Sequence, residues 1–301
     1  MKPRVLILIL CYNGVADTLA CLASLAQITY PAADLLVVDN ASHDGTPAQV
    51  RAQFPHCTVI ETGANLGFAS GNNVGLRYAQ QQQYDYTLLL NNDTEVAPDF
   101  LDRLVAVAES DPAIGIVGPT ITYYEQPTRI WSAGGTIDWR RGRTFMRGIG
   151  EHDRGQYTAP TPVDFVTGAA LLCKRAVLDR AGLLDDRFFM YYEETEWCVR
   201  AQRAGFRIMY VPDAKVLHKI PIADRIDKPY VAYYMTRNRL LFLQQTGAPL
   251  MTWLNALLFQ DLRTCVSYTV RPKWRSRRAN RDAMLRGLRD FALQRWGRLE
   301  T

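Results

Sequence analysis

The sequence lacks several features that mark particular classes of protein. Its six cysteines are scattered without a Cys-x-x-Cys pair, which argues against a disulfide framework or a zinc site and indicates reduced thiols. No uncharged apolar stretch reaches the roughly 20 residues of a membrane-spanning helix, and the N-terminus has no signal-peptide pattern. We therefore expect a cytoplasmic protein.

Two glycine-rich phosphate-binding motifs are absent as well. No G-x-G-x-x-G follows the first predicted strand, and no G-x-x-x-x-G-K occurs in the chain. A nucleoside diphosphate would then need a metal ion and side chains to neutralise its charge, because no glycine loop can cradle it. Acidic residues at the ends of predicted strands are therefore candidates for binding such a metal ion.

Charge is present but unevenly placed. The 301 residues are 48% hydrophobic and 22% charged, an ordinary composition for one large α/β domain with or without an appendage. Residues 271–301 hold ten basic and three acidic residues and carry +7, so the rest of the chain carries −2 of the net +5. No nucleic-acid-binding motif accompanies these basic residues, and we expect no nucleic acid partner.

Short apolar runs alternate with amphipathic segments along the first half of the chain. With a helix in each interval, strands are predicted at residues 5–10, 35–38, 57–60, 86–90 and 114–118. This alternation predicts a doubly wound α/β sheet. Residues 120–162 are interrupted by glycine and tryptophan, which indicates hairpins or an irregular insert. A further helix is predicted over residues 193–204.

The polar cluster Asn91-Asn92-Asp93 lies at the carboxyl end of the predicted strand 86–90. Ligands of open α/β sheets bind at this edge, and a carboxylate there can hold a divalent cation that in turn binds phosphate. Asp39 ends the second strand on the same edge, where an acid commonly accepts a hydrogen bond from a nucleoside. Asn and Asp side chains also form hydrogen bonds with their own backbone in turns. Position alone is therefore also compatible with a polar turn without a ligand, both at Asp39 and at residues 91–93.

Glu193 and Glu194 follow the apolar segment 188–192 at the start of a predicted helix. The helix dipole favours acidic residues at this position in any protein. A carboxylate partly removed from water also has a raised pKa and is a better general base near neutral pH. His218 ends a later predicted strand, where a packed histidine and a metal ligand are both open interpretations.

Six motifs occur in a fixed order between Val5 and Leu241. In chain order they read VLILILCYNG (5–14), VVDNASHDGT (37–46), ANLGFASGNNVGL (64–76), LLLNNDTEV (88–96), VTGAALLCKRAVLDRAGLLDDRFFMYYEETEWCVRAQRAGF (166–206) and VLH (216–218). Together they resemble the family 2 glycosyltransferases, especially bacterial rhamnosyltransferase-like members that build surface polysaccharides. The resemblance implies an α/β GT-A fold, a Rossmann-like doubly wound mixed sheet with a C-terminal helical appendage.

The resemblance also implies a role for each matching residue. It places the donor nucleotide-diphosphate sugar, expected to be dTDP- or UDP-linked, among Tyr12, Asn13, Asp39, Asn65, Gly67, Asn72, Asn91 and Gly168. Asp93 would bind Mg²⁺ or Mn²⁺, with His218 as a second metal contact. Glu194 would act as the catalytic base, and Glu193 is the alternative.

The implied reaction is an inverting, metal-dependent transfer of a sugar to a glycan or lipid-linked glycan acceptor in cell-surface polysaccharide synthesis, with rhamnose as a candidate sugar. Two departures from the family pattern affect it. Asn91 stands where the first acid of Asp-x-Asp is expected, so the metal has one carboxylate fewer. Glu193-Glu194 stands where a Glu-Asp pair is usual, so the base is one methylene longer.

The resemblance assigns residues 1–240 to a catalytic domain and leaves residues 241–301 as a helical, basic C-terminal region. Its apolar segment Leu250–Leu258 precedes the basic stretch, a combination that favours docking on an anionic membrane, such as the cytoplasmic face of the inner membrane. Packing on the catalytic domain, or on a second subunit in a homodimer, is the open alternative.

Two other functions are compatible with parts of the sequence. A sugar-1-phosphate nucleotidyltransferase uses a related sheet with an acidic metal site. A glycine-rich loop with a basic residue is expected after its first strand, and residues 11–14 offer none. A catalytically weak subunit that only binds sugar nucleotide or glycan is favoured by the loss of the first acid at Asn91.

Overall fold

The computed structural model describes residues 2–220 and 228–299. The strands are β1 Val5–Cys11, β2 Ala33–Asp39, β3 Thr58–Glu61, β4 Tyr86–Asn91, β5 Thr94–Val96, β6 Ile114–Tyr123, β7 Gln126–Ser132, β8 Gly135–Asp138, β9 Arg143–Met146, β10 Thr161–Pro162, β11 Ala170–Lys174 and β12 Arg207–His218. The helices are α1 Val15–Leu25, α2 Thr46–Gln53, α3 Gly67–Gln81, α4 Phe100–Glu109, α5 Arg175–Ala181, α6 Glu193–Arg203, α7 Pro229–Gln245, α8 Leu250–Leu254, α9 Arg263–Val270 and α10 Arg278–Ala292. A π-helical segment, Asn255–Leu262, joins α8 to α9.

The main sheet has the strand order β10-β12-β6-β11-β4-β1-β2-β3, with β5 paired to β12 and β7 paired to β6. β1 lies between β2 and β4 and is parallel to both. β11 runs antiparallel to β4 and to β6, so the sheet is mixed. The expectation of a mixed doubly wound sheet is confirmed.

Alternate residues of β1 face opposite sides of the sheet, as the two-residue period of a strand requires. Leu6 and Leu8 belong to a buried cluster that includes residues of α3, α5 and α6. Val5, Ile7 and Ile9 belong to a second cluster, with residues of α1 and α4. The unbroken apolar run of this strand is therefore explained by burial on both faces.

The insert between β6 and β11 is built from hairpins, as the glycine and tryptophan pattern predicted. β7 pairs antiparallel with β6, and β8 pairs with β9 in a separate two-stranded sheet. The helix predicted over residues 193–204 is confirmed as α6. The short strand β5 was not predicted, because three residues leave too little pattern to detect.

The C-terminal helices pack on one another and on the rest of the fold. α7 lies against α10, and a Cβ added at Gly287 would lie 2.8 Å from the carbonyl oxygen of Tyr233, so the two helices need glycine at this crossing. Within the described ranges, no helix has both the length and the apolar character needed to cross a membrane. The division into residues 1–240 and 241–301 stays a prediction, and α7 extends across the proposed boundary.

Candidate active site

Asp39 lies at the carboxyl end of β2, opposite Cys11 of β1 in the sheet register. Its side chain is 1% exposed. Oδ2 accepts a hydrogen bond from the backbone N–H of Ser42 at 2.9 Å, and the Cys11 thiol donates to Oδ1 at 3.4 Å. Asp39 thus caps the turn that follows β2, and its contact with a nucleoside stays a prediction.

Asn13 joins the loop after β1 to the loop after β2. Its backbone N–H donates to Oγ of Ser42 at 2.8 Å, and its Oδ1 accepts from the N–H of His43 at 2.9 Å. Its φ of 58° lies in the left-handed region, which Asn tolerates better than most residues. Tyr12 beside it is 44% exposed, so its ring lies at the rim of this sheet edge.

Asn40, which sequence reasoning did not single out, organises the loop before α3. Its Nδ2 donates to the Gly67 carbonyl at 3.0 Å, and its Oδ1 accepts the N–H of Leu66 at 3.0 Å. Asn65 contributes in the same way, because its Oδ1 accepts the N–H of Gly67 at 3.0 Å. The signal in the sequence that could have indicated Asn40 was its position as a polar residue directly after a buried strand.

Gly67 and Asn72 support the start of α3. Gly67 has a φ of 80°, and an added Cβ would overlap the ring of Phe189, so both backbone and space require glycine. Asn72 is buried and donates from Nδ2 to the carbonyl of Phe68 at 2.9 Å. The structure gives both residues, like Asn65, a scaffolding role, while their nucleoside contacts stay predictions.

The pairing of β12 with β5 brings His218 to the Asn91-Asn92-Asp93 cluster. His218 is the register partner of Thr94, and its Nε2 lies 3.0 Å from Oδ1 of Asp93. Asn91 Nδ2 is 3.5 Å from the same nitrogen. Asn92 instead donates to Oγ1 of Thr18 on α1 at 3.0 Å. The structure therefore assembles Asn91, Asp93 and His218 and directs Asn92 elsewhere.

The Asp93–His218 pair offers one carboxylate and one imidazole to a cation. His218 is fully buried, with the ring of Trp131 edge-on at 4.7 Å, and its Nδ1 has no hydrogen-bond partner in the described structure. No group of three or more Cys, His or acidic side chains converges as a metal site in residues 2–220 and 228–299. The pair fits a divalent ion such as Mn²⁺ that takes its other ligands from substrate oxygens and water.

The loop before α6 has an unusual backbone. Phe189, Tyr191 and Tyr192 all have positive φ, at 65°, 68° and 76°. Bulky residues rarely occupy this region, and each costs of order 1–3 kcal/mol unless the surroundings impose it. The three residues lead directly into Glu193, and we name residues 188–194 the base loop, after the base role predicted for Glu194 or Glu193.

Asn238 of α7 holds the base loop in this conformation. Its buried Nδ2 lies 2.8, 2.7 and 3.0 Å from the carbonyl oxygens of Phe188, Met190 and Tyr191, respectively. Neighbouring Arg237, also fully buried, donates to the Phe188 carbonyl at 3.0 Å. Sequence reasoning gave neither residue a role, although an Arg-Asn pair inside an apolar helix was a detectable signal.

Glu193, Glu194 and Gly168 line a cavity of about 230 Å³ together with Asn91 and His218. An added Cβ at Gly168 would lie 2.8 Å from the ring of Phe68 and 3.7 Å from Cβ of Glu194. A larger residue would thus press on the Phe68 ring, while the distance to Glu194 is an ordinary contact. The cavity joins the carboxylate pair of the base loop to the proposed metal site.

Both carboxyl groups are held away from water. Glu193 is 4% exposed and Glu194 is half-buried, and Oε2 of each has no hydrogen-bond partner in the described structure. Desolvation raises the pKa of Glu194 to about 7, although backbone N–H groups, including that of Gly168, act in the opposite direction. Burial and the neighbouring Glu194 raise the pKa of Glu193 well above its usual range. A carboxyl that titrates near neutral pH suits general base catalysis.

A second cavity, of about 630 Å³, adjoins the first and shares Trp131, Met146 and Tyr191 with it. Sequence reasoning did not find it, because its walls come from the hairpin insert and the C-terminal helices. Its lining is largely apolar, with a polar group at one wall that comprises Arg143, Arg239, Gln260 and Asp261. Arg239 and Asp261 form a buried ion pair.

Comparisons with known proteins identify the family. The family model described as glycosyl transferase family 2 matches residues 6–182, more than half of the chain. N-acetylglucosaminyl-diphospho-decaprenol L-rhamnosyltransferase of Mycobacterium tuberculosis is 30% identical over 224 residues, which cover 65% of this chain and 70% of the relative. The dTDP-rhamnosyl transferase of Shigella flexneri is 24% identical over 243 residues, which cover 76% and 77%.

Solved structures share the fold. A mannosyltransferase of Pyrobaculum calidifontis, in complex with GDP-Man and Mn²⁺, superposes with a TM-score of 0.62 at 17% identity, over 98% of this chain and 88% of its own. TarS of S. aureus gives a TM-score of 0.60 at 14% identity, over 96% and 49%. The GT-A architecture is thereby confirmed, and the chain belongs to glycosyl transferase family 2 as a rhamnosyltransferase-like glycosyltransferase.

Proposed function

We propose that the enzyme transfers a hexose, with rhamnose the first candidate, from a dTDP- or UDP-linked donor to an acceptor hydroxyl with inversion at the anomeric carbon. The observation that carries this proposal is the cavity that Glu194, with its raised pKa, lines together with His218 and Asn91. The names of two relatives, one a rhamnosyltransferase and one a dTDP-rhamnosyl transferase, support the choice of sugar.

In this mechanism Glu194 accepts the proton of the acceptor hydroxyl. The acceptor oxygen forms a bond to the anomeric carbon while the bond from that carbon to the diphosphate breaks, and the nucleoside diphosphate leaves with the electron pair. Attack from the face opposite the leaving group gives inversion. Glu193, more deeply buried and directly adjacent, raises the proton affinity of the pair because two close carboxylates resist ionising together.

We assign the cation site to Asp93 and His218, with Asn91 beside them. A bound Mg²⁺ or Mn²⁺ would supply electrostatic stabilisation of the leaving diphosphate. The imidazole ligand favours Mn²⁺ over Mg²⁺, because Mg²⁺ prefers oxygen ligands. The mannosyltransferase of Pyrobaculum calidifontis, which shares the fold, was solved with Mn²⁺ bound, and this supports the assignment.

We place the donor nucleotide at the edge formed by the loops after β1, β2 and β3. Tyr12 offers an exposed ring for the base, and Asp39 lies next to it for the ribose. Asn13, Asn65 and Asn72 would act through the backbone that they hold in place. Gly168 would lie beneath the donor sugar, since it lines the cavity between the metal pair and Glu194.

We place the acceptor in the second cavity, which opens beside the base loop. Its apolar wall, with Val231, Met235 and Met284, suits a lipid carrier or the apolar face of a sugar. Arg239 Nε and Asp261 Oδ2 are buried without a hydrogen-bond partner in the described structure and can pair with acceptor polar groups. The mycobacterial relative carries a lipid-linked acceptor in its name, which supports a lipid-linked glycan.

We also propose a cytoplasmic location for the reaction. All six cysteines are buried and unpaired in the described structure. Buried free thiols without disulfide partners are typical of proteins in reducing compartments.

The test is a transfer assay with a panel of dTDP-, UDP- and GDP-sugars, with Mn²⁺, with Mg²⁺ and with chelator. We expect turnover of a dTDP- or UDP-sugar that chelator abolishes. Asp93→Ala should reduce transfer at least about 100-fold, since it removes a metal ligand, while Asp213→Ala, an exposed acid on β12, should leave it unchanged. Donor binding without turnover by the native enzyme would favour the binding subunit instead. Synthesis of a nucleotide sugar from a sugar-1-phosphate would favour the nucleotidyltransferase.

A further inference from the structure

The helical segment 250–270 exposes a row of apolar side chains. Leu250 and Met251 are each 72% exposed, Phe259 is 62% exposed and Val270 is 65% exposed. The full row, which we name the apolar stripe, consists of Leu250, Met251, Leu254, Leu257, Leu258, Phe259, Leu262, Val266 and Val270. Monomeric soluble proteins rarely leave so many large apolar side chains together in water, and such a patch marks an interaction surface.

The π-helical segment keeps the apolar stripe on one side of the helix. Six residues of the apolar stripe recur at every fourth position, namely Leu250, Leu254, Leu258, Leu262, Val266 and Val270. Four residues are more than one α-helical turn of 3.6 residues, so side chains at this spacing would shift progressively around a regular α-helix. A π-helix has more residues per turn. Within Asn255–Leu262, four residues are therefore less than one turn, and the side chains shift back in the opposite direction. The exposure of all six side chains agrees with this geometry.

The opposite face of the same segment is firmly packed, so the stripe is the outward face of a docked helix. Ala256, Gln260 and Cys265 are buried. Thr252 Oγ1 donates to the carbonyl of Trp139 at 2.6 Å. The segment has two charged residues, of which Asp261 is buried against Arg239 and Arg263 is exposed. The outward face is thus almost entirely apolar.

Basic residues follow the apolar stripe directly. Arg271, Lys273, Arg275 and Arg278 are all exposed. The first three precede the positively charged helix α10, and Arg278 begins it. An apolar helix face beside clustered exposed cations complements a bilayer with anionic headgroups, because acyl chains accept the apolar side chains and the headgroups attract the cations.

We propose that the apolar stripe docks in the interface of an anionic lipid bilayer, with the basic segment 271–278 on the headgroups. A second copy of the chain is the other candidate occupant. A two-fold contact through the stripe brings the same surface of both copies together and offers the basic segments no acidic partner, because Asp261, the one acid of residues 250–270, is buried against Arg239. The bilayer supplies the opposite charge. The proposal does not depend on the transfer reaction.

Docking of this kind would also serve the proposed acceptor site. The inner face of the same segment contributes Gln260, Asp261, Thr264 and Tyr268 to the wall of the second cavity. One helix therefore has the bilayer on its outer side and the acceptor cavity on its inner side. This consequence rests on the proposed function, whereas the docking itself does not.

Vesicle flotation of the full chain tests the proposal without donor or acceptor, so its outcome is separate from that of the transfer assay. We expect flotation with vesicles of phosphatidylglycerol and phosphatidylcholine and much weaker flotation with phosphatidylcholine alone. The double change Leu258→Glu and Leu262→Glu should reduce vesicle binding by about tenfold or more, since it removes two leucines from the docking face and adds two anions. The control Ala52→Glu with Ala106→Glu, on exposed positions of α2 and α4, adds the same charge and should bind as the native protein does.

A second set of substitutions tests whether the basic segment contributes to vesicle binding. Replacing Arg271, Lys273 and Arg275 by Gln should weaken binding to the anionic vesicles by about fivefold per residue and remove most of its salt dependence. Circular dichroism and the melting temperature confirm that each variant is folded. The proposal is overturned if the folded native protein does not bind anionic vesicles. It is equally overturned if the protein is a dimer in sedimentation that Leu258→Glu with Leu262→Glu dissociates while vesicle binding is absent, because the stripe then belongs to a second copy.

Discussion

The nucleotide edge, which comprises the loops after β1, β2 and β3 where we place the donor, and the base loop are built in opposite ways. At the nucleotide edge, the side chains of Asp39, Asn40 and Asn65 accept or donate hydrogen bonds within the neighbouring turns. At the base loop, one oxygen of Glu193 and one of Glu194 have no hydrogen-bond partner in the described structure. A satisfied polar network is rigid, whereas unpaired buried carboxylates keep a raised pKa. The first region is suited to binding and the second to proton transfer.

The two regions also differ in what holds them. The nucleotide edge is held by residues close to it in the sheet. The base loop is held by Asn238 and Arg237 of α7, some fifty residues later in the chain. Donor binding should therefore be insensitive to changes in α7, while the chemical step should depend on them.

Glu194→Gln gives the largest expected effect and separates the two regions directly. The variant keeps the size of the side chain but cannot accept the proton, so transfer should fall by about 10²- to 10⁴-fold. Donor affinity should stay the same, because the nucleotide edge is untouched. Single-turnover rates and donor titration by calorimetry measure the two quantities.

Glu193→Gln is the matched comparison for the base assignment. It should reduce transfer much less than Glu194→Gln does, and the native kcat/KM should fall as pH drops below about 7, where Glu194 takes up its proton. A larger loss in Glu193→Gln than in Glu194→Gln would show that the assignment of the base is reversed.

Asn238→Ala should produce the next largest effect. The carbonyl groups of Met190 and Tyr191 lose their donor, and that of Phe188 keeps Arg237. Misplacement of Glu194 should lower kcat by roughly 10- to 100-fold with little change in donor KM. The free energy of unfolding should also fall by about 1–3 kcal/mol, the cost of buried polar groups left unpaired.

Asn255→Ala, at a partly buried position of the C-terminal helices, is the control for Asn238→Ala. A shift in the pH profile should accompany Asn238→Ala alone, because only this change alters the surroundings of Glu194. Equal losses of kcat in both variants would indicate a general effect of helix packing and would contradict a specific hold on the base loop.

The same contrast explains how far the sequence predicts this protein. The nucleotide edge follows from local pattern, since apolar runs end at Asp39 and Asn91 and parallel strands bring those ends together. The pairing of His218 with Asp93 depended on the resemblance, because the antiparallel contact of β12 with β5 has no local signature. The contact of Asn238 with the base loop was missed because the Arg237-Asn238 pair marks a polar site in α7 but does not indicate its partner. The partners of Asn238 lie in a loop whose positive φ values cannot be read from Phe, Met and Tyr, residues that ordinarily avoid that region.

Glu193→Gln should, finally, raise the stability of the protein at high pH. The pKa of Glu193 is raised in the folded state, whereas in the unfolded chain it is about 4.3. The folded state then binds more protons than the unfolded state between these two pKa values, and stability falls as pH rises through that window. Gln removes this loss, so the variant should match the native protein near pH 4 and exceed it by about 1–3 kcal/mol once the native carboxyl is ionised.

Chemical denaturation across this pH range measures the difference. Glu125→Gln, at an exposed position, should show no such divergence, because an exposed carboxylate keeps its hydration in both states. If the stability difference between Glu193→Gln and the native protein stays constant with pH, Glu193 destabilises the fold through its packing and not through its ionisation. In that case the base loop would store its strain in the backbone alone, and the raised pKa of Glu194 would have to come from its own desolvation without help from its neighbour.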